Sequence, residues 1–176
     1  MATMSNAAFR MLLATIKSDE QTTTLPVGRT AFAKVDASDA ERLSQFQWRK
    51  RGAKYAAALV EGRLVRMHHI VLGTIDSGMV VDHINGDGLD NRRVNLRVCL
   101  PSQNAKNRKA TAKPHTSRFK GVSWNGRAWV ASISVESEDV YLGRFDHEVR
   151  AAYEYDRAAR RYHGEFARTN AALGLL

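Results

Sequence analysis

The stretch that most constrains this chain runs from Val80 to Asn91: two valines, then Asp82 and His83, then Ile84, Asn85, Gly86, Asp87, Gly88, Leu89, Asp90 and Asn91. Met79, Val80 and Val81 read as a short strand, because β-branched residues suit a pleated surface. That strand delivers a carboxylate and an imidazole to its end. Asn85 to Gly88 are turn formers, so the chain must reverse there. Val94 to Val98 supply a returning segment. Pro101 and Ser102 are helix-start signals, and Gln103 to Lys109 fit roughly two helical turns. On that helix Asn104, Asn107 and Arg108 share a face by their i, i+3, i+4 spacing. Strand, loop, strand, helix is the minimal ββα arrangement that closes Asn104 onto Asp82. An ordinary Asx- and Gly-rich hairpin loop is the competing reading of the short motif alone.

The residue types suit phosphodiester hydrolysis, which needs a base for the attacking water and a cation for the charge that develops on phosphate and leaving oxygen. Asp82 and the amide oxygen of Asn104 are hard oxygen ligands for Mg²⁺ or another divalent cation such as Mn²⁺. His83, pointing away from Asp82 at the strand end, is the candidate base, with an ordinary pKa near neutrality. Asn95 is placed to hydrogen-bond the loop backbone and orient the histidine. A calcium loop of the EF-hand type is excluded, since Ile84 stands where an oxygen ligand is required and no closing Glu follows. A zinc site from His68, His69, His83 and Cys99 has no recognised spacing.

Charge points to the ligand. The net charge is +9 with a pI near 10.0. Between Asn91 and Val135 there is no Asp or Glu, whereas Arg92, Arg93, Arg97, Lys106, Arg108, Lys109, Lys113, Arg118, Lys120 and Arg127 all fall there. Such a run reads as a track for a phosphate backbone; chance clustering on a solvated surface is the plainer alternative. No basic amphipathic helix with large apolar residues supports a membrane surface instead. With 44% hydrophobic and 26% charged residues the composition is that of a soluble globular protein. No apolar run approaches the roughly 20 residues of a membrane span, and residues 1–16 lack a signal-peptide pattern. One cysteine, Cys99, excludes an internal disulfide and argues against a cysteine-based zinc site. A cytoplasmic compartment follows.

Along the chain, residues 1–23 are poorly patterned, with a short helix possible over residues 7–16 and a loose polar stretch at residues 18–24. Residues 30–35 alternate as a strand, with Ala31, Ala33 and Val35 on one face and Phe32 on the other. Asp36 to Asp39 offer a cap for a helix over residues 40–46 with Leu43 and Phe46 inward. Arg49, Lys50, Arg51, Gly52, Ala53 and Lys54 resemble a basic hairpin turn. Residues 55–60 and 64–72 form two paired strands about a turn at Glu61 and Gly62. On the second, His68 and His69 face opposite ways, so at most one reaches the site. Residues 110–116 form a basic linker. Beyond it, residues 119–124, 128–135 and 140–145 read as three strands, and Asp146 caps a helix to about Tyr162 with a stripe of Ala151, Tyr155, Ala158, Ala159 and Tyr162. Gly164 ends that helix.

Several of these stretches carry a resemblance. Met67 to Val71, Val81 to Gly86, Leu89 to Arg92, Asn95 to Arg97, and Gln103 with Asn104 resemble the HNH endonucleases of phages and mobile introns. The lead-in from Thr24 to Pro26 through Trp48 resembles what precedes the motif in phage members. The resemblance implies Asp82 and Asn104 as metal ligands, His83 as general base and Asn95 as the orienting residue. Leu100 departs from it, since such proteins often carry a helix-capping polar residue there. Ser117 to Val122, Trp129 to Ala131, Tyr141 to Phe145, Ala151 to Tyr153 and Tyr155 to Ala159 resemble the DNA-binding domain of the plant Apetala-two and ethylene-response-factor family. That family lays a three-stranded sheet in the major groove. Lys120, Trp124, Arg127 and Tyr141 are the positions expected at DNA, while Trp129 and Phe145 suit the core. Ser123, Ser132, Ser134 and Asp139 replace charged sheet residues of the plant members, so a plant target sequence does not transfer.

The expected fold is therefore α+β: a ββα-metal nuclease domain with a small α+β lead-in over residues 24–110, a linker over 111–116, and a three-stranded antiparallel sheet plus one helix over 117–176. The expected function is that of a metal-dependent DNA endonuclease, phage-encoded or mobile, acting in a bacterial host's cytoplasm on double-stranded DNA, with no small-molecule cofactor. Arg92, Arg93, Arg97, Lys106, Asn107, Arg108 and Lys109 are its further DNA contacts. A DNA-binding regulator with a decayed nuclease fold is the alternative; an RNA-binding module lacks the exposed aromatic pairs of common RNA folds.

Overall fold

In a computed structural model, residues 21–52, 54–107 and 116–176 are described. The helix expected over residues 7–16, most of the linker, and Arg108, Lys109 and Lys113 lie outside them. The fold is a mixed α+β one with small antiparallel sheets, divided into two compact units, Met1–Cys99 and Leu100–Leu176. Among the described residues no helix is long and apolar enough to cross a membrane.

The first unit opens with β1 (Thr22–Val27) and β2 (Ala31–Asp36), an antiparallel pair. Thr22 to Thr24 are thus strand rather than loose chain: each has a backbone partner in β2, and a β-branched threonine suits a half-exposed strand. Ala33 and Val35 are buried and Phe32 is exposed, as alternation requires. Helix α1 (Ala37–Ser44) starts directly after Asp36 and buries Leu43. It ends short of Phe46, which packs edge-on against Trp48.

Strands β3 (Arg49–Arg51), β4 (Tyr55–Val60) and β5 (Arg63–Arg66) form an antiparallel sheet with β4 central. The second expected strand is cut short. After Arg66 the chain turns into helix α2 (Met67–Leu72), which buries Met67, His68 and Val71 and stops at Gly73, whose φ of 78° suits only glycine. Period-two alternation fails there because Met67 and Val71, four apart, are the inward residues. The core of the unit comprises Leu25, Val27, Ala33, Val35, Leu43, Trp48, Ala56, Ala58, Met67, Val71, Val81 and Leu96. Strands β6 (Val80–His83) and β7 (Leu96–Cys99) form the hairpin expected around the motif, with Asp82 opposite Arg97 and His83 opposite Leu96.

The second unit begins with α3 (Pro101–Lys106). Leu100 has no capping oxygen, and Gln103 supplies one instead: its Oε1 accepts from Leu100 N–H at 2.8 Å. Strands β8 (Val122–Trp124), β9 (Trp129–Val135) and β10 (Glu138–Phe145) form an antiparallel sheet in the order β10–β9–β8, and α4 (Glu148–His163) packs on one face. The helix starts at Glu148, one residue later than an Asp146 cap implies. Ala151, Tyr155, Ala158 and Ala159 are its buried stripe, but Tyr162 is 40% exposed and His163 turns inward in its place. Gly121 passes so close to Tyr155 that a Cβ there would overlap the ring. Asp156 accepts from Asn170 N–H at 2.6 Å, Asn170 Nδ2 at 3.0 Å and Ala171 N–H at 2.9 Å, fastening the C-terminal segment to α4.

Candidate active site

The loop after β6 is held by its own polar side chains. Asn85 Oδ1 accepts from Asp87 N–H at 2.8 Å, and Asp87 Oδ1 from Leu89 N–H at 3.0 Å. These Asx turns explain the composition of the motif without any chemistry. What exceeds turn-making is the bracing around it. Lys34 in β2 donates its N–H to Leu89 O and accepts from Asn91 N–H, both at 2.8 Å, so the loop adds a short parallel bridge to the lead-in hairpin. Gly88 packs against β4, where a Cβ would overlap the Lys54 carbonyl oxygen and the Tyr55 ring.

Asn95 is buried and serves the loop backbone. Its Nδ2 donates to Asp90 O at 2.7 Å and its Oδ1 accepts from Asn85 N–H at 2.9 Å. The residue that reaches the histidine is Asn91, 1% exposed, whose Oδ1 lies 3.4 Å from His83 Nε2. With the amide oxygen as acceptor, Nε2 carries the proton of a neutral imidazole and Nδ1 is the basic nitrogen. Burial holds the His83 pKa below its ordinary value, partly opposed by Asn91 and by the charges of Asp82, Asp87 and Asp90. The ring therefore favours its neutral form.

His68 is the neighbour that sequence reasoning left undecided. Its ring lies 5.0 Å from that of His83 and 5.6 Å from Tyr55, and Tyr55 lies 5.7 Å from His83. Burial, then repulsion from Arg66 and from His83 and His69 when these are protonated, lowers the His68 pKa to about 3, so it stands as a neutral packing partner. A helical rather than extended reading of residues 67–72 would have found it. Among the described residues no three His, Cys, Asp or Glu side chains converge to hold a metal ion.

Asp82 is 4% exposed, and Arg97 across the hairpin donates to its Oδ2 from Nε at 2.9 Å and Nη2 at 2.7 Å. Arg92 grips Asp90 through Nε and Nη2 at 2.8 and 2.7 Å. Arg93 grips Asp39 on α1 through Nε and Nη2, both at 2.9 Å, while its N–H donates to Asp36 Oδ2 at 2.9 Å. Three arginines of the acid-free run are thus paired to carboxylates outside that run.

In the second unit, Asn104 lies on α3 and Asn107 is buried just after it. Lys106 is the last residue of α3, and its carbonyl accepts from Lys120 Nζ at 3.0 Å. Burial, together with the charge of Arg168, lowers the Lys120 pKa to about 8, with Asp156 opposing. Alternation puts Ser123, Val130, Ser132, Tyr141 and Arg144 on the sheet face away from α4. Trp124 shares the other face with Val122 and packs its ring, tilted, 5.2 Å from that of Trp129. Arg127 is exposed in the β8–β9 turn, and Tyr141 is 60% exposed. Arg144 reaches the outer face because the register shifts between Tyr141 and Gly143, an irregularity that simple alternation along the chain does not anticipate.

Known proteins are similar to this chain in sequence. The HNH endonuclease family model matches residues 65–106, from the end of β5 through α3. An uncharacterised HNH endonuclease of Acanthamoeba polyphaga mimivirus is 30% identical over 157 residues, covering 84% of this chain and 79% of that protein. The chain belongs to the HNH endonuclease family. Protein 3.8 of Escherichia phage T7 is 34% identical over 108 residues, covering 60% of this chain and 88% of that protein. A transcription repressor of Arabidopsis thaliana with Apetala-two/ethylene-response-factor and B3 domains is 41% identical over 75 residues, covering 42% of this chain and 20% of the repressor. No solved structure matches. The β6–β7 hairpin, which carries Asp82 and His83, lies within the residues that the family model matches.

Proposed function

We propose that this HNH protein is a metal-dependent DNA endonuclease, phage-encoded or mobile, with a catalytic ββα region and a C-terminal sheet that grips the target. The observation that carries it is the pairing of a neutral, Asn91-oriented His83 with an arginine-held Asp82 at the end of one strand. His83 Nδ1 takes a proton from the attacking water, whose oxygen adds to phosphorus as the bond to the leaving sugar oxygen breaks. Asp82 is a carboxylate donor that suits a hard divalent cation, and the family resemblance adds the amide oxygen of Asn104. Such an ion, when bound, supplies positive charge for the phosphate and leaving oxygen. Arg97 keeps the Asp82 carboxylate in one orientation, Asn95 fixes the loop, and Asn91 fixes the imidazole.

For the C-terminal sheet, the outer face with Ser123, Tyr141 and Arg144, flanked by Arg127, is the surface we assign to the major groove. A 75-residue similarity to a plant transcription repressor supports this assignment. The test is supercoiled-plasmid cleavage with Mg²⁺, with EDTA and with His83→Ala. Nicked or linear product only for wild type with Mg²⁺ is expected. Intact plasmid throughout, on the DNA of the source phage as well, overturns the enzyme reading.

A further inference from the structure

We propose that the outward face of the β3–β4–β5 sheet is a docking surface for the phosphate backbone of duplex DNA, leading it toward His83. The identity of the ligand rests on the endonuclease reading; the surface itself rests on register, exposure and charge.

In this sheet Ala56 and Ala58 are 1% and 3% exposed and belong to the core, so Tyr55, Ala57 and Leu59 share the opposite face, on which Leu59 is 70% exposed and Ala57, 2% exposed, is itself covered. Residues in register share a face. Arg49 and Arg66 flank Ala57, Arg51 flanks Tyr55, and Leu64 flanks Leu59. Three arginines thus stand on one face of an antiparallel sheet, all exposed. The ion pairs of this unit go to Arg42, Arg92, Arg93 and Arg97. Among the described residues no carboxylate lies within ion-pair distance of Arg49, Arg51 or Arg66. Arg92, Arg93 and Arg97, next to the motif, are engaged within the fold, whereas Arg49 and Arg51 of the expected hairpin turn, together with Arg66, present their charge to solvent.

The spacing suits a phosphate strand. Arg49 and Arg51, two residues apart, are separated by about 7 Å along β3, and Arg49 and Arg66 by about 10 Å across two strand intervals. Those separations are of the order of the distance between neighbouring phosphates of one DNA strand, which winds around an axis along which it rises about 3.4 Å per nucleotide. Guanidinium forks match phosphate oxygens bidentately. Direction comes from Tyr55. The Arg66 guanidinium lies 5.0 Å from the centre of its ring, and the same ring lies 5.7 Å from His83. Arg51, Leu64, Val65, Arg66 and His69 also line a cleft of about 390 Å³. A backbone laid on the arginines is therefore delivered to the base within one aromatic ring's reach.

The test uses the full chain with His83→Ala in EDTA, so that binding is read without cleavage. A short fluorescein-labelled duplex is titrated by anisotropy at salt concentrations from about 50 to 200 mM. Replacing Arg49, Arg51 and Arg66 together by Gln should lower the slope of log affinity against log salt by about 3, near 0.9 per phosphate contact. Replacement of all three by Lys should retain the slope. An unchanged slope in the Gln variant, with an unchanged thermal melt, overturns the proposal, as does a loss confined to an RNA duplex or an acidic peptide. Should the Gln variant fold poorly, Leu64→Cys carrying a thiol-linked photocrosslinker decides: crosslinking to the duplex supports the surface and its absence overturns it. A plasmid left intact by the wild-type chain in Mg²⁺, beside a reduced slope in the Gln variant, would sink the endonuclease reading and leave this surface standing.

Discussion

Arg97 lies directly opposite Asp82 in the β6–β7 register and donates two hydrogen bonds to the same carboxylate oxygen. Both side chains are largely buried, at 13% and 5% exposure, so water cannot replace the pair at little cost. Truncating one partner of a buried pair typically costs about 3–5 kcal/mol. Arg97→Ala is therefore expected to lower unfolding stability by about 3 kcal/mol, with Arg97→Lys intermediate. Urea denaturation checks this, and a change below about 0.5 kcal/mol would show the pair to be dispensable.

Asn91 Oδ1 lies 3.4 Å from Nε2 of His83, the ring we propose as the base. Outer-shell partners of a catalytic or metal-bound histidine are commonly worth about 10–100-fold. Asn91→Ala should lower plasmid cleavage by that factor while leaving duplex binding in EDTA unchanged. Equal loss of both would assign Asn91 to the fold of the loop instead.

Acid stability should depend on Asp39. Burial pushes its carboxyl up, but hydrogen bonds from Arg93 and Arg42 outweigh this and hold it below its ordinary value. A depressed folded pKa contributes stability that is fully present above the unfolded value of about 3.9 and is lost as pH falls through the folded value. Asp39→Asn should therefore be less stable than wild type at pH 6, and the two should converge below about pH 4. Parallel curves across that window in pH-dependent denaturation would remove Asp39 from the acid limb.

In the second unit Asp156 and Asn170 fasten the C-terminal segment, and Asn170 also bridges Lys120 through its N–H and carbonyl. Asn170 is fully buried, so leaving its partners unmatched costs about 1–3 kcal/mol per group. Asp156→Ala should raise hydrogen exchange across residues 168–176 and at Lys120 more than in β10. Uniform exchange across the unit would show the anchor to be no weaker or stronger than the rest.

Much of the site was legible because it is local. The strand end carrying Asp82 and His83, the Asx turns of Asn85 and Asp87, and the return through Leu96 depend on residues within a few positions of one another. The same holds for the three strands and the alanine stripe of α4. Residues 64–72 misled because Leu64 to Val71 carry a mixed strand and helix pattern. Only the burial of Met67 and Val71 against the first core selects the helix.

By itself the sequence determined the turn chemistry, the pairing of carboxylate with imidazole, and the basic character of the chain. The tertiary structure alone decided which positive charges face solvent. Arg93 meets Asp39 across 54 residues, Arg97 meets Asp82 across 15, and His68 comes beside His83 through a helix and a hairpin. A charge run records how many cations a segment has; pairing energies act through space, so long-range contacts decide which of them the fold consumes and which remain for a ligand.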